Sequence, residues 1–295
     1  DEGGRNFLAL QRLKDKCGNR SNASAEVEFR GLEARIVGAE GRGIATILDM
    51  AHLTRLECAL GSAGQMRQAV RLAAHHAAHR RAFGADLAAQ PAMANVLADL
   101  ALEAEAAMWL AMRAAAALDA AGRDESEQIL ARCLAPIAKY FVCKRAPMVV
   151  AEALECHGGN GFIEEHDIAR LYRDAPLNGL WEGSGNVICL DVLRALSRQP
   201  EGLALLRAEI GKAKGASKAL DAWLAAPLPA FEPRHARRLT EQLALALAAS
   251  LLLRHAPGFM ADAYCATRLG QDGGQALGTL PAGVDFTPII QRLSG

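Results

Sequence analysis

The chain has 295 residues, 51% of them hydrophobic and 22% charged, which is ample for a buried core and excludes a disordered or low-complexity protein. Its 33 Lys and Arg balance 33 Asp and Glu, so no overall field draws it to nucleic acid or an anionic membrane, and any such binding must be regional. No uninterrupted apolar run reaches the roughly 18 residues of a membrane span, and seven scattered cysteines without a C-x-x-C pair or a signal-peptide pattern point to a reducing cytoplasm.

Residues 1–39 read as β-rich, because Val27 and Phe29 alternate with polar neighbours ahead of a Gly-rich turn. One or two strands make no stable sheet alone, and the chain opens at Asp1 without Met, so this stretch is expected to be the remnant of a larger β-domain. Over residues 40–197 the period becomes helical. The first helix is expected over 44–80, with Leu48, Leu56, Leu60 and Val70 as its apolar stripe; it would exceed about 50 Å unless Gly61 or Gly64 kinks it. The second is expected over 91–121, opened by Pro91 and closed by Gly122, with Met108, Trp109 and Met112 in its core. A third spans 126–157 and stops at Gly158 and Gly159; Pro136 and Pro147 should bend or split it. A fourth covers 185–196. Long antiparallel helices with short connections imply a four-helix bundle.

After Arg198 the breakers "QPEG" and "APLPAFEP" separate shorter helices expected near 202–224, 234–255 and 258–269. Residues 198–295 carry eleven Lys and Arg against eight Asp and Glu, and they are a candidate separate domain. The fold expected is therefore mainly α: a four-helix bundle with a β remnant before it and a small helical extension after it.

The segment from His157 to Arg194 is densest in unusual residues. Gly158, Gly159 and Gly161 let backbone amides approach a ligand, and Gly183 and Gly185 flank Ser184 just before a helix whose free N–H groups favour an anion. A helix C-cap and an N-cap would explain the same residues without a ligand. Glu182, between Trp181 and Gly183, sits beside apolar surface, the setting of a usable general base, although a lone loop glutamate is usually solvated. "HRRAFG" ends the first helix with Arg80, Arg81 and Phe83; it could hold a phosphate or simply complement the helix dipole. His75 and His79 are four apart, but no acid or thiol at ligand spacing joins them, so no metal site is assigned. Cys143, Cys156 and Cys189 read as small buried hydrophobes.

Taken together and in order, "KDKCGNRSN", "TR" at Thr54 and Arg55, "RRAFG", "GGNGF" and "RLYRDAPLNGLWEGSGN" resemble the acyl-CoA dehydrogenase family from about Lys14 to Leu196. "RLKDKCGNRSNASAEVEF", "LWEGSGNVICLDVLR" and the extension resemble a branch of that family linked to the response to DNA alkylation. The resemblance implies FAD as cofactor and an acyl-CoA, such as isovaleryl-CoA, as substrate. Glu182 then matches the base that removes the α-proton. Leu180, Trp181, Gly183, Ser184, Gly185 and Asn186 match a stretch that contacts FAD in the same subunit, and Arg80, Phe83, Gln90, Gly158 and Gly159 match contacts to the FAD of a neighbouring subunit in a homotetramer. Gln90 follows Phe83 by seven residues where the family has eight, Glu155 stands where a glutamine is usual, and Trp181 replaces the commoner Tyr.

The same branch implies binding of double-stranded DNA by the extension. Lys212, Lys214 and Lys218, and Arg234, Arg237 and Arg238 at helical spacing, are the candidate phosphate contacts; a solvated helix face is the plainer reading. The expected function is an FAD flavoprotein with weak acyl-CoA dehydrogenase activity and non-specific duplex binding. An ordinary acyl-CoA dehydrogenase of fatty-acid or branched-chain oxidation is the alternative, and a flavin-free scaffold a third reading.

Overall fold

The structure, a computed structural model, describes residues 7–270, 272–281 and 283–294. Strands β1 (Leu8–Leu13) and β2 (Ala25–Phe29) pair antiparallel with Leu8 opposite Phe29 and an irregularity between Leu10 and Arg12. Their apolar side chains stay open: Leu8, Leu10, Leu13, Val27 and Phe29 are all exposed. The hairpin loop is nevertheless seated, because the Asn19 amide donates to Asp174 Oδ1 at 2.5 Å. At Gly18 a Cβ would lie 2.3 Å from the Arg173 carbonyl oxygen, a close approach that only glycine allows without a shift.

Helix α1 (Gly43–His79) continues through Gly61 and Gly64 for 37 residues, about 55 Å. A two-rung hairpin, β3 (Arg81–Ala82) and β4 (Ala85–Asp86), turns the chain into α2 (Pro91–Ala120), which opens with Pro91 in its first turn. Asp124 caps α3 (Glu125–Glu155) by accepting from the Ser126 and Glu127 amides at 2.8 and 3.3 Å. Of the two outcomes expected from sequence, a bend or a split, the split does not occur: α3 runs unbroken through Pro136 and Pro147. An interior proline costs about 3 kcal/mol in a free helix, but α3 packs on α1 and α2, with Leu134, Ile137, Ala138, Val142 and Ala146 fully buried. That packing outweighs the lost backbone bonds.

The short α4 (Asp167–Asp174), which the sequence reading lacks, precedes α5 (Gly185–Arg198). In the extension, α6 (Pro200–Gly211) and α7 (Lys218–Ala225) replace the single helix expected over 202–224. Gly215 takes φ +86 between them and its amide donates to Asp221 Oδ1 at 2.9 Å, so the break is a built turn. Helix α8 (Ala236–His255) and α9 (Gly258–Tyr264) follow, the latter ending in a π-turn over Cys265–Leu269; α10 (Phe286–Gln291), also missed from sequence, is capped by Asp285.

One apolar cluster runs from Leu56 and Met66 through Leu97, Leu110, Leu134 and Val192 into Leu206, Leu239 and Leu243 of the extension. A second joins Ala98, Leu102 and Ala106 of α2 to Leu252, Met260, Tyr264 and Ile289. The extension and the bundle thus share their cores. Two expected core positions are corrected: Leu48 and Met112 are exposed. Leu48 lies in the first turns of α1 with Ile44, Ile47, Met50 and Leu53, an apolar face left open, while Met112 points away from the α2 stripe. Among the described residues no helix is long and apolar enough to cross a membrane.

Candidate active site at the turn before helix α5

Glu182 adopts φ +58, a left-handed conformation rarely taken by a non-glycine residue, and Gly183 follows at φ +112. Two cations hold the strained pair through its backbone. Arg55 of α1 donates from Nε to the Glu182 carbonyl at 3.0 Å, and Lys139 of α3 donates to the Gly183 carbonyl. The Trp181 indole N–H donates to Asn178 Oδ1 at 2.9 Å, and Asn178 in turn donates to Ser62 at 3.1 Å. Backbone and flanking indole are therefore fixed while the Glu182 side chain is left half-buried at the surface.

Behind the turn lies a carboxylate with three arginines. Asp191 of α5 meets Arg55 at 2.9 Å, Arg132 at 2.7 Å and Arg194 at 3.7 Å. Burial pushes the Asp191 carboxyl up, but hydrogen bonding and charge from Arg132, Arg55 and Arg194 outweigh it and hold the group below its ordinary range. Burial pulls Lys139 down and pushes the nearby Cys58 thiol up. Lys139, Arg132 and Asp191 were not recognised from sequence; Lys139 had a signal, being the lone charge in the apolar run "LAPIAKYFVC".

Ser184 stands at the N-cap of α5, yet its side chain makes no cap hydrogen bond, so the plain capping reading does not account for its hydroxyl. At Gly185 a Cβ would lie 3.0 Å from Lys144 Cε and 3.3 Å from an Arg237 nitrogen. Arg237 Nε donates to Asn186 Oδ1 at 2.7 Å. One of the basic residues singled out for DNA thus braces the same turn. Leu180 and Trp181 are exposed apolar side chains beside it.

The other candidates gather at the far end of α1. Arg80 follows Arg55 by 25 residues, about 37 Å along the helix. Phe83 takes φ +52 and is 94% exposed at the tip of the β3–β4 hairpin, with Gln90 donating to the Ala82 carbonyl at 3.4 Å beneath it. Gly158, at φ +60, and Gly159 begin a 3-10 turn, and His157 just before them packs on His76 of α1 with ring centroids 4.8 Å apart. Arg80, Phe83, Gln90, Gly158 and Gly159 therefore form a second group, remote from Glu182 within one chain.

The two basic groups of the extension are also apart. Lys212 bonds Glu209 at 2.6 Å, and Glu209 binds Arg254 at 2.9 Å; Arg254 is 17 residues, about 26 Å, from Arg237 along α8. Arg234 pairs with Glu232 at 2.8 Å, whereas Lys214, Lys218 and Arg238 are exposed and have no ion pair among the described residues. Burial raises the thiols of Cys143 to about 11 and Cys156 to about 12, which suits inert core residues. Among the described residues no group of three or more His, Cys, Asp or Glu is arranged to hold a metal ion.

Residues 41–197 match the family description "Acyl-CoA dehydrogenase, C-terminal domain". AidB of Escherichia coli K12, which carries the name acyl-CoA dehydrogenase, is 43% identical over 279 residues, 94% of this chain and 51% of AidB. The solved structure of Caenorhabditis elegans ACDH-11 in complex with C11-CoA superposes with a TM-score of 0.83 at 27% identity, over 90% of this chain and 51% of that one. Butyryl-CoA dehydrogenase of Megasphaera elsdenii reaches a TM-score of 0.59 at 27% identity over 65% of this chain and 49% of that one. The chain thus spans about half the length of the relatives it matches, and the first two alignments are long enough to take in most of the extension. By these matches and by the bundle itself, the chain belongs to the acyl-CoA dehydrogenase family.

Proposed function

We propose that this chain is the C-terminal part of an AidB-like, FAD-containing acyl-CoA dehydrogenase with weak activity, in which Glu182 is the base. The observation that carries this reading is the conformation of Glu182: its backbone is clamped in a strained geometry from α1 and α3, so the carboxylate is presented from a rigid turn. The uncommitted Ser184 hydroxyl, the free amides at the start of α5 and the crowded Gly185 cradle fit the polar edge of a flavin. Leu180, Trp181, Gly183, Ser184, Gly185 and Asn186 would hold it in this subunit, and Arg80, Phe83, Gln90, Gly158 and Gly159 would meet that of a neighbouring subunit in a homotetramer. The separation of about 37 Å along α1 between Arg55, which holds the Glu182 turn, and Arg80 supports such a division.

FAD, when bound, supplies the acceptor for the hydride leaving the β-carbon. Glu182 takes the α-proton onto a carboxylate oxygen, and Trp181 beside it narrows access and excludes water. Arg55 and Lys139 hold the turn so that the carboxylate needs no reorganisation. The open apolar faces of the β1–β2 hairpin and the first turns of α1 would be covered by the remainder of the longer protein.

Duplex DNA is proposed as a further partner, through phosphate contacts from Lys214, Lys218, Arg234 and Arg238, in a role in the response to DNA alkylation. Arg234 can exchange its partner for a phosphate because its pair with Glu232 is exposed on both sides, whereas Lys212, bound to the buried Glu209, and Arg237, which braces the Glu182 turn, contribute less. An anaerobic titration of the holoenzyme with isovaleryl-CoA tests the enzyme reading: slow bleaching of the flavin that Glu182→Gln abolishes supports it, and unchanged bleaching overturns it. For DNA, affinity should fall steeply with salt and drop in an Arg234→Ala, Arg238→Ala variant. Affinity indifferent to both would leave the ordinary dehydrogenase as the better reading.

A further inference from the structure

We propose that a cavity between α1, α2 and the C-terminal turn is a binding site for a small amphiphilic carboxylate. It has a volume of about 330 Å³, at the low end of small-molecule pockets and room for about eleven waters. It lies on the stretch of α1 between the two groups of candidate flavin residues and shares no residue with either. Its floor is apolar, formed by Ala101 and Ala104 of α2, Met108, and Met260 of α9.

Its rim carries three guanidinium groups and one carboxylate. Arg292 is already satisfied, because it binds Glu105 through two hydrogen bonds of 2.6 and 2.7 Å. Arg67 and Arg71 are not. They stand four residues apart on α1, so both project from one face over the cavity. Among the described residues Arg67 makes one weak hydrogen bond, to the Met108 sulfur at 3.9 Å, and neither it nor Arg71 has an acidic partner. Like charges at this spacing repel and weaken the helix slightly. Such a pair beside an apolar hollow is relieved by an anion whose body fills the hollow, and paired guanidinium groups match the two oxygens of a carboxylate. An aliphatic monocarboxylate of octanoate size meets each condition: one negative charge for the arginines, a chain for the alanine and methionine floor, and a fitting volume.

The test is a calorimetric titration of the full chain at low salt with octanoate. One equivalent should bind, and Arg67→Gln with Arg71→Gln should weaken binding about tenfold or more, as the loss of charge-assisted hydrogen bonds requires. Both arginines are exposed, so the double variant should keep its fold, checked by circular dichroism. Trp109, whose indole lies 3.5 Å from Glu105, reports the location. With Trp181→Phe and Trp223→Phe removing the other tryptophans, octanoate should still change the fluorescence. No binding, equal binding by octylammonium, unchanged affinity in the double arginine variant, or silent Trp109 fluorescence would each overturn the site.

Discussion

Arg55 serves two acceptors at once, the Glu182 carbonyl and the Asp191 carboxylate, and its side chain is only 13% exposed. Replacing it by Ala leaves the strained Glu182 carbonyl without its donor and takes from Asp191 Oδ2 one of two donors, the other being Arg132 at 3.1 Å. A loss of about 2–3 kcal/mol in urea unfolding is expected, and Arg55→Lys, which can reach one acceptor but not both, should recover part of it. Tyr264 runs the opposite way. Its ring is fully buried, and its hydroxyl has no hydrogen-bond partner among the described residues; burial pushes that hydroxyl far above its ordinary range. Tyr264→Phe removes a polar atom that was already unsatisfied, so stability should stay level or rise by up to about 1 kcal/mol. A fall of more than that would show that the hydroxyl has a partner after all.

Among the helices, one tie between bundle and extension centres on a single carboxylate. Glu209 of α6 accepts from Arg113 of α2 at 2.9 Å, from Lys212 at 2.6 Å and from Arg254 of α8 at 2.9 Å, while Arg113 also grips Glu127 of α3 with two bonds of 2.8 and 2.9 Å. Burial pushes the Glu209 carboxyl up, yet these partners bring it down to about 2. A folded-state value below the unfolded one means that Glu209 stabilises the protein fully above about pH 4.5 and loses that contribution as pH falls toward 2. Roughly 3 kcal/mol is at stake, so Glu209→Gln should be less stable at neutral pH and show a flatter acid limb in denaturant titrations between these limits. Nothing in the sequence singles out Glu209 from the other acids of the extension, because two of its three partners, Arg113 and Arg254, arrive from helices distant in the chain. What was legible at this scale was local. Pro91 and Gly122 mark the ends of α2, the Gly158–Gly159 pair the end of α3 and Ser184 the start of α5, and the β1–β2 alternation shows in Val27 and Phe29. The continuity of α3 through two prolines was not, since it depends on helices packed against it. The Glu182 turn was readable through its motif, whereas the clamps from Arg55 and Lys139 depend on tertiary placement.

For the whole molecule the shared cores decide how the chain comes apart. Leu206, Leu239 and Leu243 lie in the same cluster as Leu134 and Val192, and Tyr264 and Ile289 in the same cluster as Leu102. A second ionic tie reinforces the join, with Arg268 of the π-turn bound to Asp99 and Glu103 of α2, and Arg145 of α3 bound to Glu103. Melting the extension alone would expose apolar faces of α2 and α3 and leave Glu103 and Asp99 without Arg268, a buried-charge penalty of about 3–5 kcal/mol. The extension therefore has no inexpensive route to unfolding by itself. Trp223 reports on the extension, where Arg207 stacks over it, and far-UV ellipticity follows all the helices. In a Trp109→Phe, Trp181→Phe variant, the Trp223 fluorescence and ellipticity transitions in urea should coincide. The β1–β2 hairpin, with its apolar side chains exposed and only its loop anchored, should instead exchange its amide hydrogens well before that transition. A Trp223 midpoint well below the ellipticity midpoint would mean that the α6–α8 contacts are dispensable to the bundle, and the two segments would then be independent units.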